Sequence, residues 1–248
     1  LKVAGQQTIG VGKTLFRLRG LTPVPVVALL AFALWRARGE SGPGGPLVDG
    51  ALNVLGLVVA ALGQALRFYT LSWVPEGTSG QGYQLEAKVL NTHGPYAYVR
   101  NPLYVGNLGI VLGLLLIAHN VWAYAAGLGF FFGEYFFIIR AEEAFLRGQF
   151  GAAFEAFVAK VPRWVPRLSP AFMGKLREGQ VDWKRGFKKE HNPFAAWASG
   201  AVALLGWEWH SRGQLESSTL TLLVVLEALV LVAFVGIKGW KHQWLKRA

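Results

Sequence analysis

Apolar residues do not alternate with polar ones along this chain; they come in blocks. The first block runs from Leu21 to Trp35, with Pro23 and Pro25 near its start. It is shorter than the ~20 residues a membrane-spanning helix needs, and Leu15 to Leu18 lengthen it backwards. Arg36 to Pro46 reads as a loop because of Gly42-Pro43-Gly44-Gly45-Pro46. The second block is Leu47 to Leu66, closed by Arg67. Residues 68–101 do not span, hold Pro75, Gly77, Gly80 and Gly82, and are long enough to indicate function rather than connection. The third block starts at Pro102, a residue suited to a first helical turn, and runs to Ile117. His119-Asn120 makes a tight turn into the fourth, Val121 to Ile139.

That turn forces the third and fourth blocks to pack antiparallel. Gly106, Gly109 and Gly113 on one, with Gly129 and Gly133 on the other, are expected to let these two helices approach closely. Arg140 to Pro193 is polar and basic, and its first part, through Phe157, reads as a helix leaving the membrane. The fifth and sixth blocks are Phe194 to Trp209 and Leu220 to Ile237. Trp240 and Trp244 in the tail, Lys238 to Ala248, suit the membrane interface. The expected fold is therefore all-α: a polytopic transmembrane helical bundle of about six spans. It divides into a basic N-terminal arm (1–20), a four-span core with a cytosolic helix (21–170), and a basic connector with two further spans (171–248).

Composition agrees with this pattern. Apolar residues make up 53% and charged residues 16%, against the ~25% charge of ordinary soluble domains. Of the 25 Lys and Arg, 22 fall in residues 1–20, 67–101, 140–193 and 238–248. Under the positive-inside rule those segments are cytoplasmic, as are both termini. Topology thus accounts for the net charge of +11, and nucleic acid is not an expected partner. With no cysteine, disulfides, thiolate metal sites and a cysteine nucleophile are excluded. Leu1 to Gly20 lacks the apolar core of a cleaved signal peptide. Gly12-Lys13-Thr14 resembles the end of a phosphate-binding loop, but Gln7 stands where its first glycine belongs.

Candidate chemistry concentrates in His93-Gly-Pro-Tyr-Ala-Tyr-Val-Arg-Asn-Pro-Leu-Tyr-Val-Gly-Asn107. Arg100 lies where a span enters the membrane, among His93, Tyr96, Tyr98 and Tyr104. Arginine grips a carboxylate through two parallel hydrogen bonds, and tyrosine rings surround a cation. The set suits a zwitterionic or sulfonium ligand; a snorkelling arginine in an aromatic belt is the plainer alternative. Glu142 and Glu143 stand just beyond the fourth span. Adjacent helical residues do not share a face, so they should do different jobs, and Glu143 has Arg147 at i, i+4. The tight hairpin returns the glutamates to the membrane face of Arg100. Glu134 and Glu227, inside spans, are further suspects, Glu134 for an acceptor tunnel. His119 and His210 fall at the outer side.

His93-Gly-Pro-Tyr-x-Tyr-x-Arg-Asn-Pro-x-Tyr-x-Gly106, the hairpin, Glu142-Glu143, Phe150-Gly151 and Val161-Pro162-Arg163 resemble the isoprenylcysteine carboxyl methyltransferase superfamily, which includes phospholipid methyltransferases. The resemblance covers roughly residues 50–167. It implies an integral membrane enzyme that takes S-adenosylmethionine from the cytosol and methylates a lipid or lipidated acceptor in the bilayer, without a metal. By resemblance, His93, Tyr96, Tyr98 and Arg100 hold the methionine end of the cofactor. Pro102, Tyr104 and Gly106 shape the pocket wall, and Glu142 and Glu143 hold the nucleoside or amino group. Asn101 stands where many members have histidine and phospholipid methyltransferases have asparagine; it keeps a hydrogen bond but does not titrate. Arg100 and Glu143 are the catalytic candidates, Arg100 by positioning a carboxylate and Glu143 as the base an amine acceptor requires. The alternatives are a small-thiol methyltransferase of the same superfamily, a sterol-type NADPH reductase with a related Arg-x-Pro-x-Tyr element, and a transporter or non-catalytic membrane partner.

Overall fold

The computed structural model describes residues 2–21, 23–36, 45–75, 85–166 and 181–245. Among them every regular element is helical: α1 (Lys2–Leu18), α2 (Pro23–Arg36), α3 (Gly45–Trp73), a 3-10 turn (Gly94–Ala97), α4 (Pro102–Ala118), α5 (Val121–Phe150), α6 (Ala152–Lys160), α7 (Trp183–Ser211) and α8 (Ser217–Leu245). The Gly42-Pro43-Gly44 turn, the stretch with Gly77, Gly80 and Gly82, and the 170/171 boundary lie outside the described residues.

A helix occurs over each of the six apolar blocks. Three are long and apolar enough to cross a membrane: Gly45–Trp73, Val121–Phe150 and Ser217–His242. At 1.5 Å per residue, α4 with its 17 residues is ~26 Å long, somewhat short of the ~30 Å hydrocarbon core. The molecule is a helical membrane bundle.

Several boundaries differ from the sequence expectation. Arg67 does not end the second helix, which continues to Trp73 because this arginine has partners inside the bundle. The helix of the fifth block begins at Trp183, not Phe194. Asp182 caps it by accepting from the Arg185 backbone N–H, and Pro193 is accommodated within it. The sixth continues through Leu245. The helix leaving the fourth block stops at Phe150 rather than running through Phe157. Gly151, at φ +49°, takes a conformation L side chains rarely adopt, and α6 starts afresh after it.

The glycines join a different pair of helices from the one expected. Gly106, Gly109 and Gly113 pack against α3, not α5. A Cβ on Gly63 would lie 2.5 Å from the Gly106 carbonyl, and one on Gly113 would run into the Gly56 carbonyl and Ala60. Gly129 and Gly133 are exposed and meet nothing. The α4–α5 turn is as tight as its sequence implies: His119 is left-handed (φ 49°), and the Asn120 side chain caps α5 by accepting from the Ala123 N–H. Yet the close interface is α3 with α4, because glycine runs on both facing stripes let two backbones meet.

The basic N-terminal segment, expected as a surface helix or arm, is a helix, and it docks along α5. Gly12 sits against the Phe137 carbonyl, and Phe16 is buried. α7 packs on α3, α4 and α8. Ile117, Ala201, Leu205 and Leu223 form a core where α4, α7 and α8 meet. Glu227 belongs to the same packing: it accepts from Ser199 Oγ at 2.8 Å, tying α8 to α7.

Two buried polar clusters hold opposite ends of the bundle. At the end of the His119 turn, Arg212 bonds Asp49 (2.5 Å) and Glu208 (2.9 Å). Asn53 donates to Glu208 at 2.8 Å, and His119 Nε2 lies 2.9 Å from Asn53 Oδ1. At the other end, Arg67 makes a two-pronged bond to Glu190, with Nε at 2.9 Å from Oε2 and an NH2 nitrogen at 2.6 Å from Oε1. Removing one partner of such a buried pair costs about 3–5 kcal/mol, because the other charge stays buried alone. This cluster therefore binds α7 to α3 near the candidate site.

Candidate functional site

The site begins with the chain reversal before α4. Gly94 (φ +58°) starts the 3-10 turn, and a Cβ there would lie 2.7 Å from the Trp73 ring. Pro95 follows, and the Tyr98 and Val99 backbone N–H groups donate to its carbonyl. Asn101 ends the segment, and Pro102 opens α4. A strap from Val161 to Trp164 locks this loop in place. The Arg100 N–H donates to the Pro162 carbonyl at 2.8 Å, and Asn101 Nδ2 donates to the Arg163 carbonyl at 3.1 Å. The Val161-Pro162-Arg163 stretch thus positions Arg100 and Asn101.

One cleft, of about 180 Å³, opens beside that loop. Tyr96, Arg100, Asn101, Tyr104 and Glu142 line it, as the sequence led us to expect for a single pocket. On α5, Glu142 lies ~32 Å beyond Val121, about the thickness of the hydrocarbon core. The hairpin therefore brings the glutamate to the membrane face where α4 begins. The two glutamates do different jobs. Glu142 faces the cleft and accepts from the Tyr104 hydroxyl at 2.7 Å. Glu143 is buried on the neighbouring face and binds Arg163 with both oxygens (3.0 and 2.6 Å) and Arg100 at 3.0 Å. The expected Glu143–Arg147 pair does not form; Arg147 reaches across the Gly151 break to Glu155.

Arg100 is the pivotal cation. One terminal nitrogen is held by Glu143, while Nε is buried with no hydrogen-bond partner among the described residues. Burial draws its pKa below the ordinary arginine value, and the Glu143 carboxylate opposes that shift. Tyr96 is displaced the other way: burial first, then the nearby Glu142 carboxylate, raise its hydroxyl above the usual phenol range. The cleft thus offers a neutral phenol, a guanidinium with a free donor, and a carboxylate.

The other expected site residues lie outside this lining. His93 is exposed before the 3-10 turn, its Nδ1 3.2 Å from Thr92 Oγ1. Tyr98 is buried behind the loop, and Pro102 and Gly106 are buried, Gly106 against α3. Glu134 is buried within α5 and does not line the cleft.

Among the lining residues that were not anticipated, four bring polar side chains from the helices or the end of α1: Arg19, Arg67, Asn107 and Tyr135. Arg19 extends from the end of α1 over the Phe16 ring, 3.9 Å from its centroid. Arg67 donates to Asn107 Oδ1, and Asn107 Nδ2 donates to the Tyr135 hydroxyl at 2.6 Å. The Tyr135 ring packs on Tyr104 with centroids 4.4 Å apart. Asn107 and Tyr135 had a signal in the sequence. Asn107 is three residues after Tyr104 and Tyr135 is seven before Glu142, so each shares a helical face with a residue already chosen. Residues 85–91 cover the cleft, with Gln149 donating to the Ala87 carbonyl at 2.6 Å.

The molecule is thus an apolar helical bundle with a polar, aromatic-walled cleft at one end. The profile of the phospholipid methyltransferase family matches residues 52–153, which run from α3 to the start of α6. The chain is 32% identical, over 165 residues, to the cobalt-zinc-cadmium resistance protein CzcN of Cupriavidus metallidurans; the aligned region covers 66% of this chain and 68% of that protein. No solved structure matches. The chain belongs to the phospholipid methyltransferase family, a family of membrane methyltransferases.

Proposed function

We propose that this protein transfers a methyl group from S-adenosylmethionine to a lipid-borne acceptor, with the cleft between α4 and α5 as the donor site. The observation that carries the reading is Arg100: a part-buried guanidinium in the cleft wall whose Nε is buried and has no hydrogen-bond partner among the described residues. The donor set fits the proposed ligand. Arg100 offers its free N–H to a carboxylate. Glu142 offers an acceptor to an ammonium or to ribose hydroxyls. The Tyr96, Tyr104 and Tyr135 side chains supply aromatic surface for a sulfonium. When bound, S-adenosylmethionine supplies an electrophilic methyl group, whose bond to sulfur breaks as the bond to the acceptor forms.

The protein's own contribution is alignment. Holding two reactants in register can supply ~7–11 kcal/mol of a barrier, and the strap from Val161 to Trp164 and the Glu143 ion pairs hold the Arg100 loop in place for that task. Arg100 anchors the donor, and His93, Tyr98, Asn101, Pro102 and Gly106 support it by shaping the loop and the α4 start. A proton released by an amine acceptor would go to Glu142 rather than Glu143, since Glu143 already serves two arginines. The apolar surface of the surrounding helices favours an acceptor that reaches the cleft from the bilayer. The distribution of Lys and Arg favours a cytosol-facing cleft with both termini cytoplasmic. Family membership favours methyl transfer over the reductase reading.

Incubating the purified protein with methyl-labelled S-adenosylmethionine and a total membrane lipid extract tests the proposal. Label is expected in an organic-extractable lipid, and less of it with Arg100→Ala. Label confined to water-soluble thiols would overturn the lipid acceptor.

A further inference from the structure

Glu190 lies on α7, outside the residues matched to the family, and is 2% exposed. Its carboxylate receives Arg67 through two nitrogens and Gln64 Nε2 at 2.8 Å; Gln64 in turn accepts from Trp197 Nε1 at 3.0 Å. The remaining terminal nitrogen of Arg67 donates to Asn107 Oδ1. A guanidinium has no acceptor, so this bond fixes the Asn107 amide with its oxygen toward Arg67. The amide NH2 group must then point the other way, and it donates to the Tyr135 hydroxyl at 2.6 Å. The Tyr135 oxygen is thereby an acceptor toward Asn107, and its own proton is directed elsewhere. Among the described residues no second group hydrogen-bonds that hydroxyl, and Tyr135 lines the cleft together with Arg67 and Asn107.

We propose that Tyr135 is a ligand-binding hydroxyl of the cleft, donating to a lone pair of the bound molecule, and that Glu190 is a positioning residue that fixes this direction through Arg67 and Asn107. The helix α7, outside the family match, then supports the site rather than merely adding to the bundle. The direction of each bond follows from one fact: arginine donates only. Without Glu190, Arg67 is free to turn, the Asn107 amide can flip, and Tyr135 loses its preference. The proposal rests on the methyl-donor reading only for the choice of probe, S-adenosylhomocysteine.

The full-length protein is labelled with 3-fluorotyrosine and followed by fluorine NMR in detergent, with the Tyr135 resonance assigned by its loss in Tyr135→Phe. Glu190→Gln and Asn107→Leu should both shift that resonance. Glu227→Gln, which breaks the α7–α8 bond to Ser199 but not the relay, should leave it in place. Asn107→Leu keeps the test decisive if Glu190→Gln does not fold. S-adenosylhomocysteine should move the Tyr135 resonance in the unaltered protein. Tyr135→Phe should weaken its binding about tenfold, the loss of one hydrogen bond from a buried site, and adding Asn107→Leu should weaken it little further. A Tyr135 resonance that ignores Asn107→Leu, or that responds equally to Glu227→Gln, overturns the relay. Binding of the probe with Tyr135 unmoved overturns the ligand role. A probe that does not bind at all counts against the donor reading instead, and the resonance shifts still decide the relay.

Discussion

Glu142 and Glu143 are adjacent in sequence and separate in function because a helix turns about 100° between them. Glu142 faces the cleft under the Tyr104 hydroxyl, and Glu143 clamps Arg100 and Arg163 behind it. Substitution should separate the two. Glu142→Gln keeps the bond from Tyr104 but loses the charge, so it should weaken S-adenosylhomocysteine about tenfold with little change in melting temperature. Glu143→Gln leaves two guanidinium groups short of a counter-charge and should cost about 1–3 kcal/mol of stability. Calorimetry and thermal melting in detergent check both; a reversed pattern would mean that the roles are exchanged. The division of labour was legible in the sequence, but its assignment was not. Arg147, four residues from Glu143, looked like the natural partner, while Arg163 is 20 residues away and comes near only because Gly151 breaks the helix and the chain returns. Arg19 was illegible for a similar reason: nothing in a basic N-terminal segment announces that it docks along α5.

At the scale of elements, helix placement was largely readable, because blocks of apolar residues bounded by turns leave few options. Neighbours were harder. Connectivity made α4 and α5 look like the close pair, yet close approach requires small residues on both faces. Gly56, Ala60 and Gly63 of α3 face Gly106, Gly109 and Gly113 of α4, whereas Gly129 and Gly133 of α5 look outward. The run Gly56, Ala60, Gly63, spaced at three and four residues, was present in the sequence and is the helical-face signal for this interface. Gly63→Val should therefore force α3 and α4 apart and cost about 1–3 kcal/mol or more, read as a lowered melting temperature in detergent. Gly133→Ala, with nothing near its Cβ, should be neutral. Equal effects from the two would contradict the interface. Helix ends were also misread where a charge was taken as a stop. Arg67 continues its helix because Glu190, 123 residues later, receives it inside the bundle, a pairing no local pattern reveals.

For the whole molecule, the fold works as a stiff frame around one cleft at one end. The cluster at Arg212 ties α3 and α7 to the His119 turn, and the Arg67–Glu190 pair ties them at the cleft end. Between these clamps, α3 and α4 meet backbone to backbone. The family match covers residues 52–153, but the cleft wall also includes Arg19 before that range and Phe157 after it, and Arg163 behind the wall holds Glu143 in place. The central claim is that this cleft binds the methyl donor through Arg100. The most direct measurement is calorimetric titration of the purified full-length protein with S-adenosylhomocysteine, run in parallel on Arg100→Ala with its melting behaviour checked. The account predicts saturable one-site binding to the unaltered protein and at least a tenfold loss in the folded variant. Equal affinity for both proteins, or binding of NADPH and not of S-adenosylhomocysteine, would contradict it.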